Sequence, residues 1–148
     1  MPPGPEAVMP TTALVVLDTN LVLDLFLFRD LAVRPLMCAL TQGDLRWICT
    51  EAMQLELVRV LAYPHILRTL NAQTRLAEQV IKEAAMHWHL VQVPEKAMHG
   101  VRCKDRDDQI FVDLAVAHQA NLLSKDKAVL ALVRSLKRWN VSVLRRWE

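Results

Sequence analysis

The sequence predicts an α/β fold, a three-layer arrangement with a central, mostly parallel sheet between helices. Three observations point there. Short, largely apolar runs at 14–17 (LVVL), 45–49 (LRWIC) and 121–124 (NLLS) read as buried strands. Helical stretches separate them, and strands alternating with helices imply parallel neighbours covered on both faces. Leu, Val and Ala dominate while aromatic residues make up only 5%, a mix that suits helices packed on such a sheet.

Taken in order, the strand at 14–17 is ended by Thr19 and Asn20, and LVLDLFLF continues as a helix. Pro35 suits the first turn of a second helix, which runs to about Thr41 and is closed by Gly43. After the strand 45–49, Thr50 is a good N-cap for a helix over 51–62, stopped before Tyr63-Pro64. Residues 65–89 read as helical throughout, with a break near Asn71, and 90–93 (LVQV) as a strand ended by Pro94. A polar loop covers 94–107. Asp107 or Asp108 opens a helix to about Gln119, whose buried face is Ile110, Phe111, Leu114, Ala117 and His118. The strand at 121–124 follows, then a helix from Asp126 to about Trp139 and a last strand at 141–144. No internal repeat appears. The expected organisation is a disordered lead-in over residues 1–12 and one folded domain over 13–148.

Composition narrows the function. With 53% apolar and 23% charged residues the chain has material for a sizeable core. Only 3 glycines argue against a glycine-rich phosphate loop. The net charge of +2 is too balanced to identify a nucleic-acid partner. Basic residues do gather late: Lys125, Lys127, Arg134, Lys137, Arg138, Arg145 and Arg146 all fall in the last 24 positions, where a solvated helix face competes with phosphate attraction. Cys38, Cys49 and Cys103 lack CxxC spacing and imply reduced thiols in a cytoplasm, with Cys38 and Cys49 expected in the core. The N-terminal MPPGP has no signal-peptide pattern, and no apolar run approaches the roughly 20 residues of a membrane span.

Four acids carry the chemistry. Ligands of open α/β sheets bind beyond the carboxyl ends of the strands. Asp18 directly follows the first strand and Asp126 follows NLLS, so both project from one sheet edge. Asp108 sits in a first helical turn, where a capping role competes. Glu56 lies mid-helix on the side of Met53 and Val60, beside the apolar stripe, and needs a partner such as Arg59 or a loop arginine. Asp113 falls about 140° round the helix from Asp108, which favours a salt bridge instead. Converging carboxylates repel unless a cation lies between them, and an all-oxygen set suits Mg²⁺ or Mn²⁺. No zinc site competes, because His87 and His89 face different ways and Cys103 has no neighbour at zinc spacing.

The segments VVLDTNLVLDLF (15–26), TEAMQLELVRVLAYP (50–64) and CKDRDDQIFVDLAVAHQANLLSKDKAVLAL (103–132) resemble PIN domains, in particular the toxins of bacterial toxin–antitoxin systems related to the VapC type. The resemblance runs from about Leu14 to Leu144. It equates Asp18, Glu56, Asp108 and Asp126 with the family's four acids, Asn20 with the polar residue after the first, and Ser124 with the Ser/Thr before the fourth. Asp105 and Asp107 correspond to a related group's acidic loop. Ala128 stands where many relatives carry a further acid. The resemblance implies a PIN-like fold, Mg²⁺- or Mn²⁺-dependent cleavage of RNA, a small antitoxin protein as partner, and a homodimer. Asn20 and Ser124 are expected to hold the acids by hydrogen bonds. The rival within the family is an inactive scaffold that binds RNA or a protein partner. Receiver domains and haloacid-dehalogenase-like phosphatases also place an aspartate after a strand. The first needs an acid pair there, and the second needs Asp where this chain has Asn20.

Overall fold

A computed structural model describes residues 12–95 and 99–148. The expected lead-in therefore lies almost wholly outside the described residues. Five parallel strands form one sheet: β1 (Ala13–Leu17), β2 (Leu45–Cys49), β3 (Trp88–Leu90), β4 (Asn121–Leu123) and β5 (Val143–Leu144), in the order β3-β2-β1-β4-β5. The chain starts at the centre, winds out through β2 to β3, then returns to the other side of β1. Leu17 stands opposite Leu123, and Val15 opposite Trp47.

Alternation along β1 divides the core. Val15 and Leu17 join a cluster with Trp47 and Leu123 on one face, while Val16 joins Leu122, Phe111 and Leu114 on the other. The first face carries α1 (Thr19–Leu23), α2 (Arg34–Gln42), α3 (Glu51–Val60), α4 (Pro64–Ala72) and α5 (Ala77–Ala85). Leu21, Leu36, Leu57, Ile66 and Val80 carry their apolar stripes into that cluster. The second face carries α6 (Gln109–His118), α7 (Lys127–Leu130) and α8 (Val133–Lys137), through Phe111, Val129 and Leu136. This is the three-layer α/β/α fold that the sequence predicts, with an all-parallel sheet.

The first helix is enclosed. Every residue from Leu21 to Leu27 is buried, as in a helix apolar all round. After Leu23 it widens into a π-helical turn, Asp24–Phe28, that ends on Arg29 in the left-handed region at φ 51°. Carbonyls at that end are satisfied from a distance. Gln73 Nε2 donates to the Leu27 oxygen at 2.9 Å and Arg75 Nη1 to the Phe26 oxygen at 3.0 Å. Arg75 also pairs with Glu83 at 2.9 Å.

Several local expectations change. The break expected near Asn71 within the helix over 65–89 falls at 73–76, with Thr74 at φ 54°, but the end of that stretch is a strand, Trp88–Leu90, that pairs with β2 at the sheet edge. The strand expected at 90–93 is thus shifted back by two residues. The last helix breaks at Ala131 and Leu132. Thr50 occupies the cap position of α3 but makes no side-chain cap bond. Cys49 is buried and Cys38 is exposed, because the buried stripe of α2 is Leu36, Ala39 and Leu40. In α6 the buried stripe is Phe111, Val112, Leu114 and Ala115; Ala117 and His118 are exposed in its last turn. Among the described residues no helix is long and apolar enough to cross a membrane.

Candidate functional site

The strand order reverses at β1 and β4, where an open parallel sheet forms a crevice beyond its carboxyl ends. Asp18 lies there because it prolongs β1. Its N–H donates to the Leu123 carbonyl at 3.2 Å, as a further rung of the β1–β4 ladder. Its side chain then caps α1, with Oδ1 accepting from the Leu21 amide at 3.0 Å. The second oxygen, Oδ2, accepts from the Ser124 hydroxyl. Asp18 is 3% exposed and Ser124 is fully buried. Burial pushes the Asp18 carboxyl above the usual carboxylate range, and the charge of Asp126 adds to this. The Ser124 and Leu21 bonds and nearby Lys125 pull the other way.

Ser124 serves two acids at once. Its oxygen also accepts from the Asp126 amide at 3.0 Å, and Asp126 in turn caps α7 through the Ala128 amide at 2.7 Å. One hydroxyl thereby ties the end of β1 to the turn after β4. Asp126 is one of three carboxylates, with Asp105 and Asp108, whose ligand oxygens all lie within 4.8 Å of one another.

Asp108 decides what this cluster is. It occupies the N-cap position of α6 yet makes no cap bond, so capping does not explain it. Its Oδ2 is buried with no hydrogen-bond partner among the described residues. Its carboxyl is pushed up to about 7, first by burial, then by the charges of Asp105 and Asp126, by a hydrogen bond that its protonated form shares with Asp126, and by the charge of Asp18. An orphaned buried oxygen among three other acids is a costly arrangement for a bare protein. A divalent cation, a hard acid that takes oxygen donors, would resolve it. The residues fit such an ion.

The expected residues do not all converge. Asp105, Asp108 and Asp126 come together, and Asp18 stands outside that group, near enough for its charge to act on Asp108. Asp105 also accepts from the Asp107 amide at 3.0 Å, forming the short turn Arg106–Asp108. Asp107 is exposed on that turn. Glu56 stands apart from the three-carboxylate group. Its partner is Thr19, whose hydroxyl donates to Glu56 Oε2 at 2.7 Å, and no arginine pairs with it among the described residues. Asn20 is exposed and bonds none of the four acids among the described residues; its neighbour Thr19 bonds Glu56. Asp113 stays out of the cluster as expected and binds His99 Nε2 and Gln109 Nε2, each at 2.9 Å.

Sequence reasoning missed two groups. Thr19 carried the signal of lying between Asp18 and Asn20, but threonine there also reads as a helix starter. Asp24 is buried in the π turn and pairs with the Lys125 ammonium. An acid inside LVLDLFLF was visible, and its partner a hundred residues away was not.

Residues 14–128 match the family model described as PIN domain. No curated protein matches the chain.

Proposed function

The chain belongs to the PIN-domain family, whose members are generally nucleases, and from that premise we propose that it is a metal-dependent endoribonuclease. The observation that carries this reading is that Asp108, whose Oδ2 has no partner among the described residues, shares a carboxylate group with Asp105 and Asp126 near buried Asp18. Asp105, Asp108 and Asp126 would hold Mg²⁺ or Mn²⁺, with Asp18 at the base of the site. The chemistry that such an ion would supply there is hydroxide near neutral pH and relief of charge on the phosphate oxygens.

The chain's own residues do the rest. Ser124 and the Leu21 amide fix both oxygens of Asp18, so the carboxylate needs no rearrangement to act. Asp126 is held by its own cap bond. Glu56, held by the Thr19 hydroxyl, would take a proton from water or orient it for attack on phosphorus. As the toxin of a toxin–antitoxin pair, the protein would have a small antitoxin as partner and form a homodimer. A reducing cytoplasm would keep the exposed Cys38 as a thiol.

The test is cleavage of a mixed RNA pool by purified protein in Mn²⁺ or Mg²⁺, with and without EDTA, beside Asp18→Asn. The expected result is metal-dependent cleavage by wild type and at least a hundredfold loss in Asp18→Asn, with matching circular dichroism. Equal cleavage by both proteins would refute the assignment. Metal binding without cleavage would favour a scaffold. Neutralisation by the product of a short adjacent gene would test the toxin role.

A further inference from the structure

A cleft of about 360 Å³ opens beside the acids, between α3 and the turn Arg106–Asp108. It is lined by Leu55, Glu56 and Arg59 of α3, by Arg106 and Asp107 of the turn, and by Ile110. Arg59 follows Glu56 by three residues, so the two share a face of α3. Arg106 opens the turn that carries Asp108, and the Asp105 bond to the Asp107 amide fixes that turn. Among the described residues neither guanidinium makes an ion pair or a hydrogen bond. By contrast, Arg29 and Arg75 are both committed to Glu83. Other surface arginines are also unpaired, so place singles these two out: they face one cleft from opposite elements, next to the carboxylates.

We propose that this cleft is a subsite for the backbone of single-stranded RNA, with Arg59 and Arg106 gripping a phosphate next to the one cleaved. The inference rests on the nuclease reading for the word "cleaved", and it extends that reading to substrate hold. A guanidinium presents a planar fork that matches phosphate oxygens, and two of them offset the charge of Glu56 and Asp107. Leu55, 62% exposed, and Ile110 give an unpaired base an apolar surface to lie on. The two guanidinium groups attract a phosphate while the neighbouring carboxylates repel it, which seats the strand's backbone on the arginines before any bond breaks.

The experiment reads binding apart from cleavage. A labelled single-stranded RNA dodecamer is titrated with full-length Asp18→Asn protein in EDTA, by fluorescence anisotropy over a range of salt. Arg59→Gln, Arg106→Gln and their double variant are compared in that background, with Arg134→Gln from the basic C-terminal part as control. Thermal melts check folding. Each cleft variant is expected to bind several-fold more weakly, with the slope of log K against log salt shallower by about 0.7 per lost phosphate contact. Arg59→Lys is expected to recover the slope and part of the affinity. Arg134→Gln should leave the slope unchanged. Unchanged slopes in the double variant, or equal losses in the control, would overturn the inference. So would displacement of the RNA by inorganic phosphate at equal phosphorus concentration, which marks a small-anion site. Arginine-dependent binding by a protein that never cleaves would leave the cleft standing and sink the nuclease reading. Cleavage with unaltered KM in the double variant would do the reverse.

Discussion

Asp108 has a measurable cost. A carboxyl whose pKa in the fold stands near 7 favours the folded state fully below the ordinary 3.8, and that advantage is lost as pH rises through 7. The metal-free protein should therefore melt at a lower temperature at pH 8 than at pH 5. Asp108→Asn should flatten this part of the curve and stabilise the metal-free protein at pH 8 by about 1–3 kcal/mol, since partial exposure screens the repulsion. That corresponds to several degrees in a domain of this size. Mn²⁺ should raise the wild-type melting temperature more at pH 8 than at pH 5, and scarcely at all in Asp108→Asn. Melting curves in EDTA and in Mn²⁺ at the two pH values decide it, and a wild type whose stability rises from pH 5 to 8 would contradict the sign. The same residue shows where sequence reading stops. Its place in a first helical turn was legible and suited a cap as well as a ligand. Only the missing cap bond and the orphaned oxygen separate the two.

Among the elements, the π turn Asp24–Phe28 concentrates what tertiary structure adds. Its apolar run was legible, its widening was not, and neither was the source of its satisfied carbonyls, Gln73 and Arg75. Those two residues lie in the bend at 73–76, close to the break that the sequence suggests near Asn71, although no glycine or proline marks the place. Asp24 reaches across to Lys125, between Ser124 and Asp126, and so links the first helix to the turn that holds the site. Lys125→Met should destabilise the protein by about 1–2 kcal/mol, less than for a fully buried pair because the ammonium is 41% exposed. Adding Asp24→Asn should restore part of the loss. Denaturant unfolding of the two single variants and the double closes the cycle. Additive losses would mean that the pair contributes nothing.

At the scale of the molecule, the sheet was the most legible feature. β1, β2 and β4 fall where their apolar runs place them, because strands buried on both faces leave an unbroken signature. The edge strand β3 was displaced, since its outer residues His89 and Leu90 are exposed and write no such pattern. Of the site, the acids at the strand ends were legible from topology alone, while the pairing of Thr19 with Glu56 depended on how α1 packs beside α3 and the full part of Asp105 on its loop. The strand order has a consequence in time. β1 is made early, yet its neighbour β4 arrives more than a hundred residues later, bringing Ser124 and Asp126. A nascent chain on the ribosome therefore holds one lone aspartate where the finished protein holds four acids. Whatever this pocket does to its target, it is disarmed throughout most of its own translation.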